Sequence, residues 1–395
     1  MSSGKGSKIS VVIFPGYYVP HLGGQETHVD EFACHLSQDP RFEVCVFAPH
    51  LPSTAPAEEK RHGRVRVVRY PAWEPVTNYP LPRLWHPAFW KAYLALFQAP
   101  LDVVMTRTRF FSNALLGLFL ARVRGKKLVH VEHGSAFVQL HSPWKTRLAR
   151  YYDLSLGRLV VQQADLVVAI SEAVRAFLKA HFLPGGQIPV IYRGLDFEKL
   201  AAAEPHPWVL DHFPHHVRLG FVGRLLKWKG VENLLQAFFE LPEAMRERCV
   251  LLIVGDGEEA PRLRALAARR AGNVVFFGAR PFQEALAVLK TCHLYVHPSY
   301  PGGGLSTSLL EAMALGRAVI ASPHEGAREV VRDGQTGVLL PDNHPSEIRQ
   351  ALQRLIPDPA TRSRLGHGAR QFVHTHFSWE RNIARWRELI LQLLG

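Results

Sequence analysis

Short apolar runs alternate with helical stretches along almost the whole chain, and this alternation restricts the fold more than any other feature. Ile9–Phe14 is apolar without a break, as expected of a strand buried on both faces of a sheet. The turn PGYYVPHLGGQE and a helical stretch from Glu26 to Ser37 follow it. Strand-like runs recur at Val44–Phe47, Val65–Arg69, Val103–Met105, Lys127–Val131 and Leu166–Ile170, and Ile188–Tyr192 closes the set. Residues 194–216, rich in Pro and His, interrupt the rhythm and read as a link. A second series runs through Arg218–Val222, Val250–Val254, Val274–Phe277, Leu294–Val296, Ala318–Ala321 and Gly337–Leu340, and an apolar-faced helix from Trp379 to Leu394 ends the chain. Strands separated by helices imply parallel sheets covered on both faces. The expected architecture is α/β: two Rossmann-like parallel-sheet domains of similar size facing each other across a cleft, with ligands at the carboxyl ends of the strands.

That expectation directs attention to the strand ends. Ser299–Gly316, SYPGGGLSTSLLEAMALG, places Gly302, Gly303 and Gly304 between a strand and a helix that Gly316 can end. The first N–H groups of a helix lack internal partners and favour an anion, and glycines let a phosphate approach the backbone. Glu311, one turn in, would face the same ligand. The competing reading is a capping box, Ser308-Leu309-Leu310-Glu311, in which Glu311 only satisfies a backbone donor. Arg224 follows the strand that ends in Phe221-Val222-Gly223, and Lys229 stands five residues on, before a helix starting near Val231. A forked donor and a point charge suit two linked phosphates, and their strand-end place favours this over two solvated cations. Val254-Gly255-Asp256-Gly257 reads as turn chemistry. Gly23-Gly24 is the N-terminal counterpart of the triple glycine, equally readable as a tight turn. His133 lies at the carboxyl end of a strand and is a site candidate for that reason.

Charge and composition bound the partners. A formal net charge of +13 is concentrated in residues 1–195, which carry a balance of +10. Such a balance suggests an acidic partner: nucleic acid, anionic lipid or a phosphorylated substrate. No nucleic-acid motif accompanies it, so nucleic acid is not expected. Cys34, Cys45, Cys249 and Cys292 are scattered without ligand spacing, which reads as a reduced, cytoplasmic chain without structural zinc. The start, MSSGKGSKIS, lacks a signal peptide's apolar core, and no apolar run approaches the ~20 residues that span a membrane. Trp85, Phe89, Tyr93 and Phe97 recur every four residues. They read as the buried face of a helix with Pro87 in its first turn, in preference to a membrane-contact face. Arg107, Arg109, Arg122, Arg124, Lys126 and Lys127 read as solvated and able to draw the chain to anionic lipid, a peripheral contact through the N-terminal domain.

The ordered motifs GGQETHVDEFACHL, VEHGS, ISEAVRAFL, RGLDFEKL, FVGRLLKWKGVENLLQAF, LLIVGDGEE and EGAREVVRDGQTGVLL together resemble the family 4 retaining glycosyltransferases of the GT-B fold over nearly the whole chain. The resemblance implies an N-terminal acceptor-side domain (1–195), a C-terminal nucleotide-sugar domain (196–377) and a final helix (378–395) that crosses back to the first domain. It implies transfer from a nucleotide-sugar, a UDP-sugar ahead of a GDP-sugar, to a hydroxyl acceptor that is lipid-linked, a glycan or a small molecule, with no metal or other cofactor. A phosphate-dependent phosphorylase or an inactive sugar-nucleotide binder on the same fold is the alternative. Arg224 and Lys229 would hold the diphosphate and Glu311 the ribose hydroxyls. Leu305, Ser306, Thr307 and Gly304 would offer backbone to the donor, and Gly278 and Arg280 would lie near the base. His133 would lie beside the transferred sugar, and Gly23 and Gly24 by the diphosphate. One departure stands out: where the family's Glu-x7-Glu pattern has its first Glu, this chain has Gly303.

Overall fold

A computed structural model describes residues 8–21, 23–76, 79–138, 142–270, 272–300, 305–324 and 326–395. They form two compact units, one running to Gly194 and taking in Trp379–Gly395, the other Leu195–Ser378.

The first unit is built on a seven-stranded sheet. Its strands are β1 (Ile9–Phe14), β2 (Phe42–Pro49), β3 (Glu58–Arg61), β4 (Val65–Tyr70), β7 (Val103–Arg107), β8 (Lys127–Glu132) and β9 (Leu166–Ala169), in the order β3-β4-β2-β1-β7-β8-β9. All pairs are parallel except β3 with β4. β5 (Ala72–Val76) and β6 (Tyr79–Pro82) pair as a separate antiparallel ribbon. The helices are α1 (Gly24–Ser37), α2 (Pro87–Gln98), α3 (Asn113–Val123), α4 (Pro143–Tyr152), α5 (Arg158–Gln162) and α6 (Glu172–His181).

Alternation along the strands divides the core into two layers. Val11, Ile13, Val103, Met105, Val129 and Val131 face α1 and the C-terminal helix. Val12, Phe14, Val104 and Leu128 face α2, α3 and Val160 of α5. The C-terminal helix, Trp379–Leu394, buries Trp379, Ile383, Trp386 and Ile390, one stripe of a 3.6-residue period. Trp386 meets the Phe32 ring edge-on at 5.3 Å. Each such side chain contributes about 1.5–3 kcal/mol of burial, which fixes this helix to the first unit. The expected α2 forms with Pro87 at its start, and Phe89 and Tyr93 are core. Trp85 precedes the helix and is exposed.

The second unit holds β10 (Val217–Val222), β11 (Cys249–Val254), β12 (Val274–Gly278), β13 (Leu294–His297), β14 (Ala318–Ala321) and β15 (Val338–Leu339), all parallel, in the order β12-β11-β10-β13-β14-β15. Two expectations change. Residues 194–216 are not an irregular link, because from Leu195 they belong to the second unit, with short helices Phe197–Ala202 and Pro207–His212. Leu195 N–H donates to the Phe377 carbonyl at 2.7 Å and ties the start of this unit to its end. Ile188–Tyr192 is not a strand of the sheet; only Val190 bridges to Ala169.

Candidate functional site

In the second unit the carboxyl ends of neighbouring strands are stitched together by backbone hydrogen bonds. Gly255 N–H donates to the Gly278 carbonyl at 2.8 Å, Gly223 N–H to Val254 at 3.0 Å, and Leu225 N–H to Asp256 at 2.8 Å. Gly255 has φ 137, and a Cβ there would lie 1.8 Å from the Gly223 carbonyl oxygen, so only glycine permits this approach. Gly278 is left-handed at φ 73. The VGDGE segment, read from sequence as turn chemistry, is thus the middle of three adjacent strand-end turns.

Arg224 emerges from the first of these turns and is exposed, its guanidinium without a side-chain partner among the described residues. Lys229 ends a short 3-10 turn, Lys227–Lys229, and its Nζ lies 4.2 Å from the Trp228 ring centroid. Gly230 then reverses the chain at φ 66 against the Pro298 carbonyl, and Tyr300 N–H donates to Trp228 at 2.7 Å. The Arg224–Lys229 segment is therefore seated on the chain leaving β13.

The helix Thr307–Ala314 starts at Ser306, which makes no side-chain cap. Ser308 is inside the helix, with its hydroxyl 2.8 Å from that of Tyr295 and 3.2 Å from that of Ser306. The capping box centred on Ser308 does not form, and Glu311, buried, is too far into the helix for that role. Tyr295 also donates to the Val222 carbonyl at 3.3 Å and so links the end of β10 to the helix start. Leu305 packs against left-handed Gly326. Arg280 is exposed, donating to Phe277 and pairing with Glu284 at 3.6 Å. Gly303 and Gly304 lie outside the described residues.

The first unit has its own strand-end cluster. His133, just after β8, is buried, and Arg107 Nη1 donates to its Nε2 at 3.5 Å. The His28 ring meets His133 edge-on at 5.6 Å. Burial, then the Arg107 charge, lowers His133 to about 3, and the same causes hold His28 well below the ordinary histidine value. Burial also lowers Arg107 to about 9; its guanidinium lies 4.6 Å from the Phe32 ring centroid and its Nε has no hydrogen-bond partner among the described residues. Arg193 donates to the Gly24 carbonyl at 3.4 Å and to Glu31 at 3.2 Å. At the start of α1, Gly23 is extended and the Glu26 carboxylate packs against it, paired with His21 at 2.9 Å. That carboxylate complements the helix dipole itself.

Behind His133, Glu132 accepts from the backbone N–H groups of His133 and Gly134, both at 2.8 Å, and from Arg109 N–H at 3.1 Å. Its side chain pairs with Arg109 at 3.1 Å, and Arg109 with Asp153 at 3.3 Å. Although burial opposes ionisation, Arg109 and His130 hold the Glu132 carboxyl well below the ordinary range. Burial raises Asp153 to about 6 despite Arg109. Arg107 and Arg109 are thus not solvated, each being 2% exposed, whereas Arg122 is exposed as expected. The signal in the sequence was position: Arg107 ends an apolar strand, the place that singled out Arg224.

Each unit is a sheet of mainly parallel strands with helices on both faces, and glycine turns, cations and a buried carboxylate gather at its strand ends, which makes both units Rossmann-like. The model for "Glycosyltransferase Family 4" matches residues 22–199, and that for "Glycosyl transferases group 1" matches residues 206–372. An uncharacterized glycosyltransferase of Methanocaldococcus jannaschii is 46% identical over 98% of this chain and 100% of its own length. The GDP-mannose-dependent monoacylated alpha-(1-6)-phosphatidylinositol monomannoside mannosyltransferase of Corynebacterium glutamicum is 26% identical, over 92% of this chain and 93% of its own. Among solved structures, sucrose-phosphate synthase from Thermosynechococcus elongatus superposes with a TM-score of 0.77 at 22% identity, covering 98% of this chain and 99% of its own. Anabaena HepE in complex with UDP-glucose gives 0.72 at 19%, covering 97% and 99%. These two show the fold. The chain belongs to the family 4 glycosyltransferases and is a GT-B glycosyltransferase.

Proposed function

We propose that this glycosyltransferase is a retaining hexosyltransferase that uses a nucleotide-sugar, a UDP-sugar ahead of a GDP-sugar, and a hydroxyl acceptor, without a divalent metal. The observation that carries the reading is the junction of the β10, β11 and β12 turns with Arg224, Lys229 and the start of the helix that bears Glu311. A solved structure of the same fold holds UDP-glucose and a relative is named as GDP-mannose-dependent, which supports a nucleotide-sugar donor. The names of relatives that act on phosphatidylinositol mannoside support an acceptor that is lipid-linked or acidic.

Arg224, Lys229 and the N–H groups at the helix start stabilise the diphosphate as it gains charge, and Glu311 holds the ribose hydroxyls. Gly278 and Arg280 border the base, and backbone at Leu305, Ser306 and Thr307 meets the donor. Gly303 has no side chain, so no double displacement runs through position 303. The acceptor oxygen attacks the anomeric carbon on the face from which the diphosphate departs. Its proton passes to a phosphate oxygen as the C–O bond to phosphate breaks. His133, held neutral with its Nε2 accepting from Arg107, donates one hydrogen bond from its Nδ1–H at the transferred sugar.

The test is incubation with a panel of nucleotide-sugars and hydroxyl acceptors in excess chelator, reading nucleoside diphosphate release and the anomeric configuration of the product. Release with retention is expected. Turnover only with inorganic phosphate, an inverted product, or activity restored only by magnesium or manganese would overturn the reading.

A further inference from the structure

In the second unit the helices Val231–Phe239 and Pro345–Leu355 pack side by side, with Arg349 paired to Glu240 at 3.1 Å. By their N-terminal turns lies an open cavity of about 430 Å³. Tyr300, on the chain leaving β13, supplies its aromatic wall and is 39% exposed. That volume falls within the roughly 300–1,000 Å³ usual for small-molecule sites. None of the residues assigned above to the donor lines it.

The polar groups around this cavity are oriented by bonds that use only part of their capacity. The Asn233 amide nitrogen donates to the Asn343 carbonyl at 2.7 Å and to the Tyr300 hydroxyl at 3.0 Å, which fixes the amide and turns its oxygen into the remaining acceptor. Tyr300 accepts there and keeps its own O–H to donate. His344 Nδ1 accepts from the Ser346 N–H at 3.3 Å, so Nε2 carries the ring proton. The Gln236 amide nitrogen donates to Glu240 at 3.0 Å, and one Asp342 oxygen accepts the His344 N–H at 2.7 Å. The Asn233 and Gln236 amide oxygens, the second Asp342 oxygen and His344 Nε2 have no hydrogen-bond partner among the described residues.

Donors, the Tyr300 O–H and the His344 Nε2–H, are thus mixed with acceptors on Asn233, Gln236 and Asp342. A phosphate requires donors and cations, and no Lys or Arg lines the cavity. A metal ion requires several acceptors together, and no group of His, Cys, Asp and Glu able to hold one occurs among the described residues. A sugar hydroxyl both donates and accepts, and the C–H face of a pyranose is apolar enough to lie on an aromatic ring. We propose that this cavity is a second sugar-binding site, taking a neutral hexopyranose with its C–H face on Tyr300 and its hydroxyls shared among Asn233, Gln236, Asp342 and His344. The site is built on the segment that seats Lys229: Tyr300 N–H holds the Trp228 carbonyl, and the Asn343 side chain donates to the Pro298 carbonyl at 3.4 Å.

The test is saturation-transfer NMR on the full chain with methyl α-glucoside, methyl α-mannoside and methyl α-galactoside, each titrated alone. No nucleotide is present and no turnover is read, so the outcome is independent of the transferase reading. Transfer to the ring hydrogens of at least one glycoside is expected. Tyr300→Ala should weaken its binding about tenfold, and Tyr300→Phe, which keeps the ring, should fall between that variant and wild type. Gln236→Ala should also weaken binding, and because Gln236 is exposed on its helix this variant decides the matter should Tyr300→Ala fail to fold. Trp208→Ser, an exposed aromatic of the same unit outside the cavity, should change nothing. Absence of transfer to all three glycosides, or transfer unmoved by Tyr300→Ala and Gln236→Ala, would overturn the proposal. Binding of inorganic phosphate that the same two changes remove would overturn it in favour of an anion.

Discussion

Arg107 Nη1 stands 3.5 Å from His133 Nε2, with both side chains buried and no carboxylate paired with Arg107 among the described residues. The arrangement keeps His133 neutral, and it makes the fold sensitive to acid. Below the ordinary histidine value the unfolded chain takes up protons that His133 and His28 refuse in the fold, so stability falls as pH drops through about 6.5. The refusal by His133 costs about 2 kcal/mol between pH 7 and pH 5, and His28 acts in the same direction. Asp153 acts oppositely: its raised value of about 6 lets the fold bind a proton first, returning about 1 kcal/mol over the same interval. The lowered histidines, His293 of the second unit among them, outweigh Asp153, so a fall in urea midpoint from pH 7 to pH 5 is expected.

Replacing Arg107 separates its role from that of the fold. A buried guanidinium without a counter-ion costs stability, so Arg107→Met should hold or raise the thermal midpoint. The acid-induced loss should shrink, because a cation facing both histidines is gone, but only partly, since burial is the larger cause. A midpoint several degrees lower at pH 7 would show that Arg107 is structural. Proton NMR titration of His133 checks the direction of its shift.

Arg109 should behave in the contrary way. Its guanidinium joins Glu132 and Asp153, all three buried, and lies 4.7 Å from the Phe177 ring centroid. Arg109→Met leaves two carboxylates without their cation and should destabilise by about 3–5 kcal/mol. Chemical denaturation at pH 7 measures it. The loss should lessen toward pH 5, where Asp153 protonates, and an equal loss at both pH values would assign it to packing.

The sequence pattern showed most of the strands because a parallel strand covered on both faces is a bare apolar run, as in Ile9–Phe14 and Val250–Val254. It failed where that signature is missing. Glu58–Arg61 is a strand made wholly of charged residues, legible only through its antiparallel pairing at the edge of the sheet. Ile188–Tyr192 has the apolar run but only one bridge. Residue type misled at Arg107 and Arg109, because arginine is usually solvated, and the contacts that bury them come from α1, Asp153 and α6, remote in sequence. The junction around Arg224 was legible because glycines and cations at strand ends are local signals. What Tyr295 contributes there was not, since only folding brings its hydroxyl to Ser308 and to the carbonyl of Val222.

Arg224→Ala and Lys229→Ala should each lower turnover strongly in a folded protein. Loss of one well-placed electrostatic contact to a departing diphosphate raises the barrier by about 3 kcal/mol, or roughly a hundredfold. Arg224 is exposed and Lys229 half-buried, so thermal midpoints should stay near wild type. Steady-state rates of nucleoside diphosphate release on folded variants check this. Near wild-type turnover in both would remove these residues from the donor site.

Gly230 offers a test of how firmly Lys229 is seated. At φ 66 any other residue is strained by roughly 1–2 kcal/mol, and here an added Cβ would also lie 1.9 Å from the Pro298 carbonyl oxygen. Gly334 is the control, since it has nearly the same backbone, φ 69, in the same unit, with nothing within 4 Å of an added Cβ. Gly334→Ala should therefore show the backbone cost alone, about 1 kcal/mol, with turnover unchanged. Gly230→Ala must also push the end of the Lys227–Lys229 turn away from the chain leaving β13, since a backbone carbonyl cannot swing aside as a side chain can. It should destabilise by at least a further ~1 kcal/mol and lower turnover as Lys229→Ala does. Urea denaturation of the two variants isolates the contact. Equal losses with undiminished turnover in Gly230→Ala would mean that the Trp228–Tyr300 link does not position the lysine.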